Sequence, residues 1–400
     1  MWENKKFIFC ILIVSNFSDS DAFAKTVKDI VVGKVIIHPF AQDQLEVGSN
    51  IHGNQHSSPS ASGPHIRNGV RINIANQVKI GAIWDFGAAP GGQMRLFEGA
   101  ASYTGLKHFQ FSVGVFNPSF GLSSMQSRGD SIFPERASVA TITRGLAAGA
   151  NRQAVQALFY GNYYHLAISG TAGTAGPGKD GNQRAIVFRS VILPIHTQEF
   201  LMHVGISGEW VFRPSHKNSM EEGVSFSDTP ENDDGLNDKY IKTGNIPAKS
   251  SGAFGLEGAV AWKKLLISSE YYNLIVNENK NSRINRQNFY GWYITAAYTL
   301  VGKPRAWKPT SASFASPSCD QKVSTLCHAM GVIELATRFS QMDLENSDVS
   351  GGKQNIWSVN INWYPLDIIR ISLDYSHTKY YEKENYHNFD SILSMFQVYF

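Results

Sequence analysis

The sequence predicts an all-β chain, a transmembrane antiparallel β-barrel of about sixteen strands. Three observations carry that expectation. Apolar and polar residues alternate with period two in segment after segment, and no long stretch shows a 3.6-residue period. The connections between segments alternate between tight turns and long polar loops. The chain closes on "SILSMFQVYF", with Phe396, Val398 and Phe400 at every second position up to the last residue. Soluble domains more often end in a frayed polar tail.

The N-terminus stands apart from that pattern. Lys5 and Lys6 precede an apolar run from Phe7 to Val14, and Ala22-Phe23-Ala24 matches a small-x-small cleavage site. Residues 1–24 are therefore expected to be a cleaved signal peptide and residues 25–400 the barrel. Loss of Glu3, Lys5, Lys6, Asp19 and Asp21 moves the net charge from +3 to +4. This balance excludes a nucleic-acid-binding composition. No apolar run of about 18 residues follows, so no transmembrane helix is expected. Cys10 leaves with the signal. The remaining pair, Cys319 and Cys327, is expected to close a small disulfide loop in an exported protein. A zinc half-site would need two more ligands close by.

The expected strands are roughly 31–38, 66–75, 78–86, 97–104, 108–116, 152–160, 163–170, 184–191, 198–214, 252–262, 264–275, 287–300, 328–340, 354–364, 368–377 and 392–400. In "KHFQFSVGVF", Phe109, Phe111, Val113 and Val115 share one face, with Gln110, Ser112 and Gly114 on the other. In "WSVNINWY", Trp357, Val359, Ile361 and Trp363 oppose Ser358, Asn360, Asn362 and Tyr364. "IRISLDYS" and "VIELATRFS" split in the same way. Tight turns follow the even-numbered strands, at 76–77, 105–107, 161–162, 193–196, 263 and 365–367. Long polar loops follow the odd-numbered ones, at 39–65, 87–96, 117–151, 171–183, 215–251, 276–286, 341–353 and 378–391. Short turns on one rim and long loops on the other describe an outer-membrane barrel. Residues 301–327 break the rule: by parity they lie on the short-turn side, yet they are long and carry the cysteines.

A β-sandwich also alternates. Lipid is favoured because Trp and Tyr sit near strand ends, at Trp262, Tyr271, Tyr272, Trp292, Tyr293, Trp357, Trp363 and Tyr364, where they suit the headgroup level. The polar face also carries charge, which a sandwich core tolerates only when paired.

Two motifs lead nowhere. "GTAGPGKD", Gly173 to Asp180, nearly matches a phosphate-binding loop, but Asp180 replaces the magnesium-holding Ser/Thr and a strand follows instead of a helix. His52, His56 and His65 lie in a Ser/Gly/Pro-rich loop, where solvated side chains are the plain reading. No nucleophile elbow stands out, and no cofactor or metal is expected.

The third long loop, 117–151, is semi-apolar. Phe120, Ile132, Phe133 and Leu146 are too greasy for a free surface loop, so it is expected to fold into the lumen and narrow it. Arg128, Arg136 and Arg144 within it, and Arg152 just after, would face low-dielectric walls that focus their potential. The bland alternative is that nearby acids pair with these arginines and pin the loop. Alternation places Arg71, Lys79, Arg338 and Arg370 on the polar face too, with Asp85, Glu257, Glu270, Glu334 and Asp374. The lumen is therefore expected to be mixed. Glu334 and Arg338, four apart on one strand face, are expected to pair across strands.

Several stretches resemble the phosphate-selective porin O and P family. They are "EGAASYTGLKHFQFSVGVFNPSFGL", "FPERA", and "GWYITAAYTLVGKPRAWKP" followed by "GVIELATRFSQMDLEN" and "GGKQNIWSVNINWYPLDIIRISLDYSH". The likeness runs with gaps from about residue 66 to 400. It implies a trimeric porin in the outer membrane of a Gram-negative bacterium, passing small anions such as phosphate or polyphosphate. It implies a constriction role for Arg136, in the matching Glu-Arg; the last strand, ending in an aromatic, is separately expected to be read by the barrel-assembly machinery. Asn117 stands where the family commonly has a lysine. That removes a positive charge beside the constriction and makes general anion or small-solute passage the expectation. The competing classes are an outer-membrane hydrolase, which needs a Ser-His pair near the outer rim, and a secreted β-rich binding protein.

Overall fold

The computed structural model describes residues 29–52, 55–56, 60–61, 65–87, 94–149, 152–175, 182–214, 223–231, 239–280, 283–319, 325–382 and 385–400. The expected signal, residues 176–180 of the phosphate-loop look-alike, and the side chains of His52 and His56 lie outside them.

Sixteen strands form one closed antiparallel ring. They are β1 (Val35–His52), β2 (His65–Ile74), β3 (Val78–Asp85), β4 (Arg95–Tyr103), β5 (Phe109–Phe116), β6 (Arg152–Tyr160), β7 (Tyr164–Thr174), β8 (Arg184–His196), β9 (Phe200–Arg213), β10 (Ile246–Trp262), β11 (Leu265–Lys280), β12 (Arg283–Val301), β13 (Val332–Glu345), β14 (Ser350–Leu366), β15 (Ile369–Glu382) and β16 (Asn385–Tyr399). Each pairs with its sequence neighbours, and β16 closes on β1 from Gln42↔Tyr399 to Ile51↔Asp390. The last rung is made by Phe400, whose N–H donates to the Ala41 carbonyl at 3.0 Å while its carbonyl accepts from Ala41 N–H at 3.2 Å. Closure leaves no sheet edge to satisfy in lipid.

The burial pattern is inside-out. Charged and polar side chains face inward and are buried, as with Arg370 (0% exposed), Glu334 (1%) and Asn362 (0%). Apolar residues on the same strands point outward, as with Val359 (58%), Leu373 (50%) and Ile168 (58%). Water-soluble proteins show the reverse. Outward Trp292, Phe339 and Trp357 pack as tilted rings with centroids 5.2 and 4.7 Å apart, a local aromatic belt. Trp262, Tyr271 and Trp363 also point outward. Tyr272, Tyr293 and Tyr364, expected in the same belt, turn inward and are buried. Neighbouring residues on a strand face opposite sides, so each of these pairs sends only one ring to lipid.

The short-turn rim holds residues 75–77, 104–108, 161–163, 197–199, 263–264 and 367–368, and also the long connection 302–331. That connection therefore belongs to the inner, periplasmic side. It carries helix α3 (Thr325–Met330) and the bonded pair Cys319–Cys327, with Cα atoms 5.9 Å apart. At the opposite rim several expected loops are strand instead. β1 continues through residues 39–52, and β11 to β16 run as tall hairpins. Above the lipid both faces of a strand are wet, so the alternation that marks it in sequence disappears.

Candidate functional site

The inner face changes character around the ring. On β8 to β13 it is apolar at Leu193, Leu201, Leu274, Val276, Phe289, Met342 and Leu344, all buried. A water-filled lumen does not want such a wall, and three chain segments cover it.

The first is the third loop, residues 117–149, with helices α1 (Leu122–Met125) and α2 (Ser138–Ala147). Val139, Ala140, Ile142, Leu146 and Ala147 of α2 join Tyr272, Leu274, Phe289 and Met342 in one apolar cluster. Backbone donors at the helix ends find buried carboxylates, Glu270 and Glu209 on the wall and Glu231 on an inward-folded loop. Glu270 accepts from Leu122 N–H (2.6 Å), Ser123 N–H (3.1 Å), Tyr272 OH (2.7 Å) and Tyr293 OH (2.6 Å). Ser138 N–H donates to Glu231 and Ala147 N–H to Glu209, at 2.9 and 3.0 Å. The sharp entry to α1 needs Gly121, at φ +62°, because a Cβ there would lie 2.2 Å from the Tyr272 hydroxyl.

The second segment descends from the opposite rim and is built from part of the inner connection. Arg305 makes a two-pronged pair with Glu334, both contacts 2.7 Å and both side chains nearly fully buried. Burial works against the Arg305 charge, but Glu334 overrides it and holds the guanidinium above its ordinary value. Arg189 on β8 pairs with Glu257 at 2.8 Å and donates to the Ser311 and Ala312 carbonyls at 2.7 and 2.8 Å. Phe314 and Leu122 share an apolar cluster with Phe133. Asp130 of the third loop then joins the two segments: its carboxylate takes the Lys308 ammonium and the Ser316 N–H (2.9 Å). Burial pushes the Asp130 carboxyl up, and Lys308, Ser127 and Ser316 together pull it below the ordinary value.

The third segment brings Phe226, Glu231 and Ile241 inward from the loop between β9 and β10; Glu231 pairs with Arg338. Glu334 and Arg338 thus take their ion-pair partners from inward-folded segments, and from the adjacent strand Glu334 accepts the Asn362 amide at 3.0 Å. Tertiary folding, invisible to strand parity, supplies them.

An open cavity of ≈ 850 Å³ lies along β1 to β6. Its wall carries Gln42, Arg67, Arg71, Lys79, Glu98 and Gln156; its opposite side carries Arg128, Arg136 and Arg144 from the third loop and Lys308 from the inner connection. Four of these seven cations have carboxylate partners: Arg67 with Asp85 (2.9 Å), Arg71 with Glu98 (2.9 Å), Arg128 with Glu135 (3.3 Å), and Lys308 with Asp130. Lys79, Arg136 and Arg144 make no ion pair among the described residues. Arg136 instead donates to the Ser123 and Gln126 carbonyls at 3.1 and 2.9 Å. Burial, then Arg144 and Arg128, pushes its pKa well down. Burial, then Arg128 and Arg67, brings Arg144 down to about 10, still charged at neutral pH. The surplus at the passage is positive.

Of the eight basic residues singled out from sequence, Arg71, Lys79, Arg128, Arg136 and Arg144 line this cavity. Arg152, Arg338 and Arg370 do not. They are 3%, 4% and 0% exposed, and each serves the underside of the third loop. Arg152 donates to Gly145 and Leu146 carbonyls, Arg338 to the Glu135 carbonyl, and Arg370 to the Ile132 carbonyl and Asn362. Sequence reading missed Arg67 and Lys308. Arg67 has the parity of Arg71 and was within reach; Lys308 sits in a connection with no periodicity. A Ser-His contact does exist: Ser119 Oγ lies 2.8 Å from His165 Nε2, and the other ring nitrogen is 3.3 Å from the Pro309 carbonyl. Both side chains are 1% exposed within the plug of inward-folded chain, and His165 stands at the start of β7 beside the inner rim rather than the outer one, so they tie the third loop to the wall and inner connection.

A family model described as "Phosphate-selective porin O and P" matches residues 64–400. Porin O of Pseudomonas aeruginosa is 24% identical over 313 residues, covering 70% of this chain and 68% of that protein. Among solved structures, an anion-selective porin from Comamonas acidovorans superposes with a TM-score of 0.56 at 8% identity, covering 92% of this chain and 100% of that one. In-vitro folded OmpT of Vibrio cholerae, in a trimer form, gives a TM-score of 0.56 at 10% identity over 92% of this chain and 99% of that one. At such identities these two likenesses speak to the fold.

Proposed function

The chain belongs to the phosphate-selective porin O and P family, and from that premise we propose a passive channel for small anions in the outer membrane of a Gram-negative bacterium. One observation carries the reading: the cavity between β1 to β6 and the third loop is lined by Lys79 from the wall and by Arg136 and Arg144 from the loop, and none of the three has an ion-pair partner among the described residues. Water and ions follow the polar wall of β1 to β6, and the apolar wall of β8 to β13 is sealed by chain. In a narrow passage with low-dielectric sides a small positive surplus is focused, which raises anion concentration and repels cations. Flux follows the solute gradient. Asn117 lines the cavity where a lysine would add charge, which favours general anion passage over tight phosphate selection.

The wider assignments rest on the same reading. A homotrimer is supported by the trimer form of the similarly folded OmpT. Reading of the last strand by the barrel-assembly machinery is supported by the outward row Ile392, Phe396, Val398, which ends at the closing rung of Phe400. A transport role rather than catalysis is supported by the burial of the Ser119–His165 contact inside the plug. The test is planar-bilayer recording of the purified protein in asymmetric potassium chloride and potassium phosphate. The reading expects reversal potentials on the anion side for both salts. Cation preference would refute it.

A further inference from the structure

Resting on the anion-channel reading, we infer that the passage takes amphipathic organic anions, a carboxylate on a flat apolar body, in preference to fully hydrated inorganic oxyanions. The first ground is the apolar surface beside the charges. Phe40, Phe97, Phe116 and Leu158 line the cavity from the wall and Met125 lines it from the third loop. The three phenylalanines are part-exposed. Their neighbours on the same inner face, Ser102, Gln110, Ser112 and Gln156, are the polar residues a water-filled lumen calls for. Phe97 is there because of a register shift between β3 and β4, where Ile83 faces Glu98 and Trp84 faces Leu96. The extra residue turns both Phe97 and Glu98 inward, the usual way a bulge re-aims a side chain.

The second ground is the state of the wall arginines. Arg67 lies over the Phe97 ring at 4.1 Å and Arg71 over the Phe40 ring at 4.4 Å. Asp85 and Glu98 already occupy donor groups on their edges at 2.9 Å. A hydrated oxyanion would compete with those carboxylates and would meet ring surface that cannot replace its water. A flat organic body instead stacks on the guanidinium of Arg71, whose side chain is 48% exposed against 11% for Arg67, and covers Phe116 and Met125. Its carboxylate is then left for Arg136 and Arg144, which form no ion pair among the described residues. The ≈ 850 Å³ of open volume is in the range of small-molecule sites and far exceeds what one inorganic ion fills.

The test uses benzoate as the organic anion and inorganic phosphate as the comparator, on the intact channel in planar bilayers. Benzoate is expected to carry current and, by dwelling in the passage, to reduce chloride current at lower concentration than phosphate does. Phe116→Ala removes about 40 Å² of apolar contact and should raise the half-blocking benzoate concentration about fivefold, with phosphate unchanged. Phe116→Leu keeps most of that contact and should stay near the parent, which separates lost contact from a damaged barrel. A chloride-selective channel that excludes benzoate, or in which phosphate blocks first, overturns this inference and leaves the channel reading standing. Benzoate block unmoved by Phe116→Ala overturns it as well. Absence of anion-selective current fails the channel reading itself.

Discussion

Replacing Arg136 and Arg144 together with glutamine should collapse most of the anion preference. These are two of the three cavity-lining cations without an ion-pair partner among the described residues. Taking an ion on the passage axis at about 10 Å, with an effective dielectric constant of about 20, one unit charge contributes about 1.7 kcal/mol. Screening over one Debye length at 0.1 M salt reduces that to about 0.6 kcal/mol. Two charges then change an anion's energy by about 1.2 kcal/mol, about eightfold in occupancy. A cation gains by a similar factor, so the anion-to-cation permeability ratio should fall by at least about tenfold. The assay is the reversal potential in a tenfold salt gradient, with the heat-dependent gel shift confirming that the barrel has formed. Arg152→Gln is the control, because Arg152 lies behind the third loop and should leave the ratio near the parent value. A ratio that stays within about twofold of the parent in the double variant would show that the positive surplus is not what selects.

Three further outcomes follow from the anchors. Glu270→Leu removes an acceptor shared by two backbone N–H groups and two tyrosines; charge-assisted bonds of this kind contribute about 1.5–3 kcal/mol each, so single-channel current should become noisy and the third loop open to protease. Arg305→Ala leaves Glu334 buried without its partner, a loss of about 3–5 kcal/mol, and should lower the temperature of the gel shift; an unchanged midpoint would mean the inner connection is not held there. The Asp130 carboxyl lies below its ordinary value when folded, so its stabilisation is present above about pH 4 and is lost as pH falls through the lowered pKa. Asp130's hold on Lys308 should therefore persist from pH 7 down to about pH 4, and Asp130→Asn should remove the conductance change that sets in below it.

How much of this was open to sequence reading depended on whether the signal was local. Strand alternation is local, and it placed Phe111, Val359 and Leu373 outside and Ser112, Asn360 and Arg370 inside. The apolar residues Phe120, Ile132, Phe133 and Leu146 marked a loop unsuited to water. Parity alone left the inner connection open between a long inner-side loop and a miscounted strand. What parity cannot convey is which inward face is wet. Arg370 and Arg71 have the same strand signature, yet one is sealed beneath the third loop and the other lines the cavity. The difference comes from contacts across more than a hundred residues, such as Arg189 to Ala312 and Asp130 to Lys308. The tall hairpins were missed for a simpler reason: above the membrane a strand has no greasy side.

The route of the passage is tested most directly by thiol labelling under current recording. Single cysteines replace Ser102, on the cavity wall, and Ser376, on the inner face of β15 beneath the plug. A negatively charged thiol reagent should reduce current through the Ser102→Cys channel within seconds and leave Ser376→Cys unaffected. Equal block of both, or block at Ser376 alone, would mean that ions travel where the chain has been placed, and the arrangement described for the lumen would be wrong.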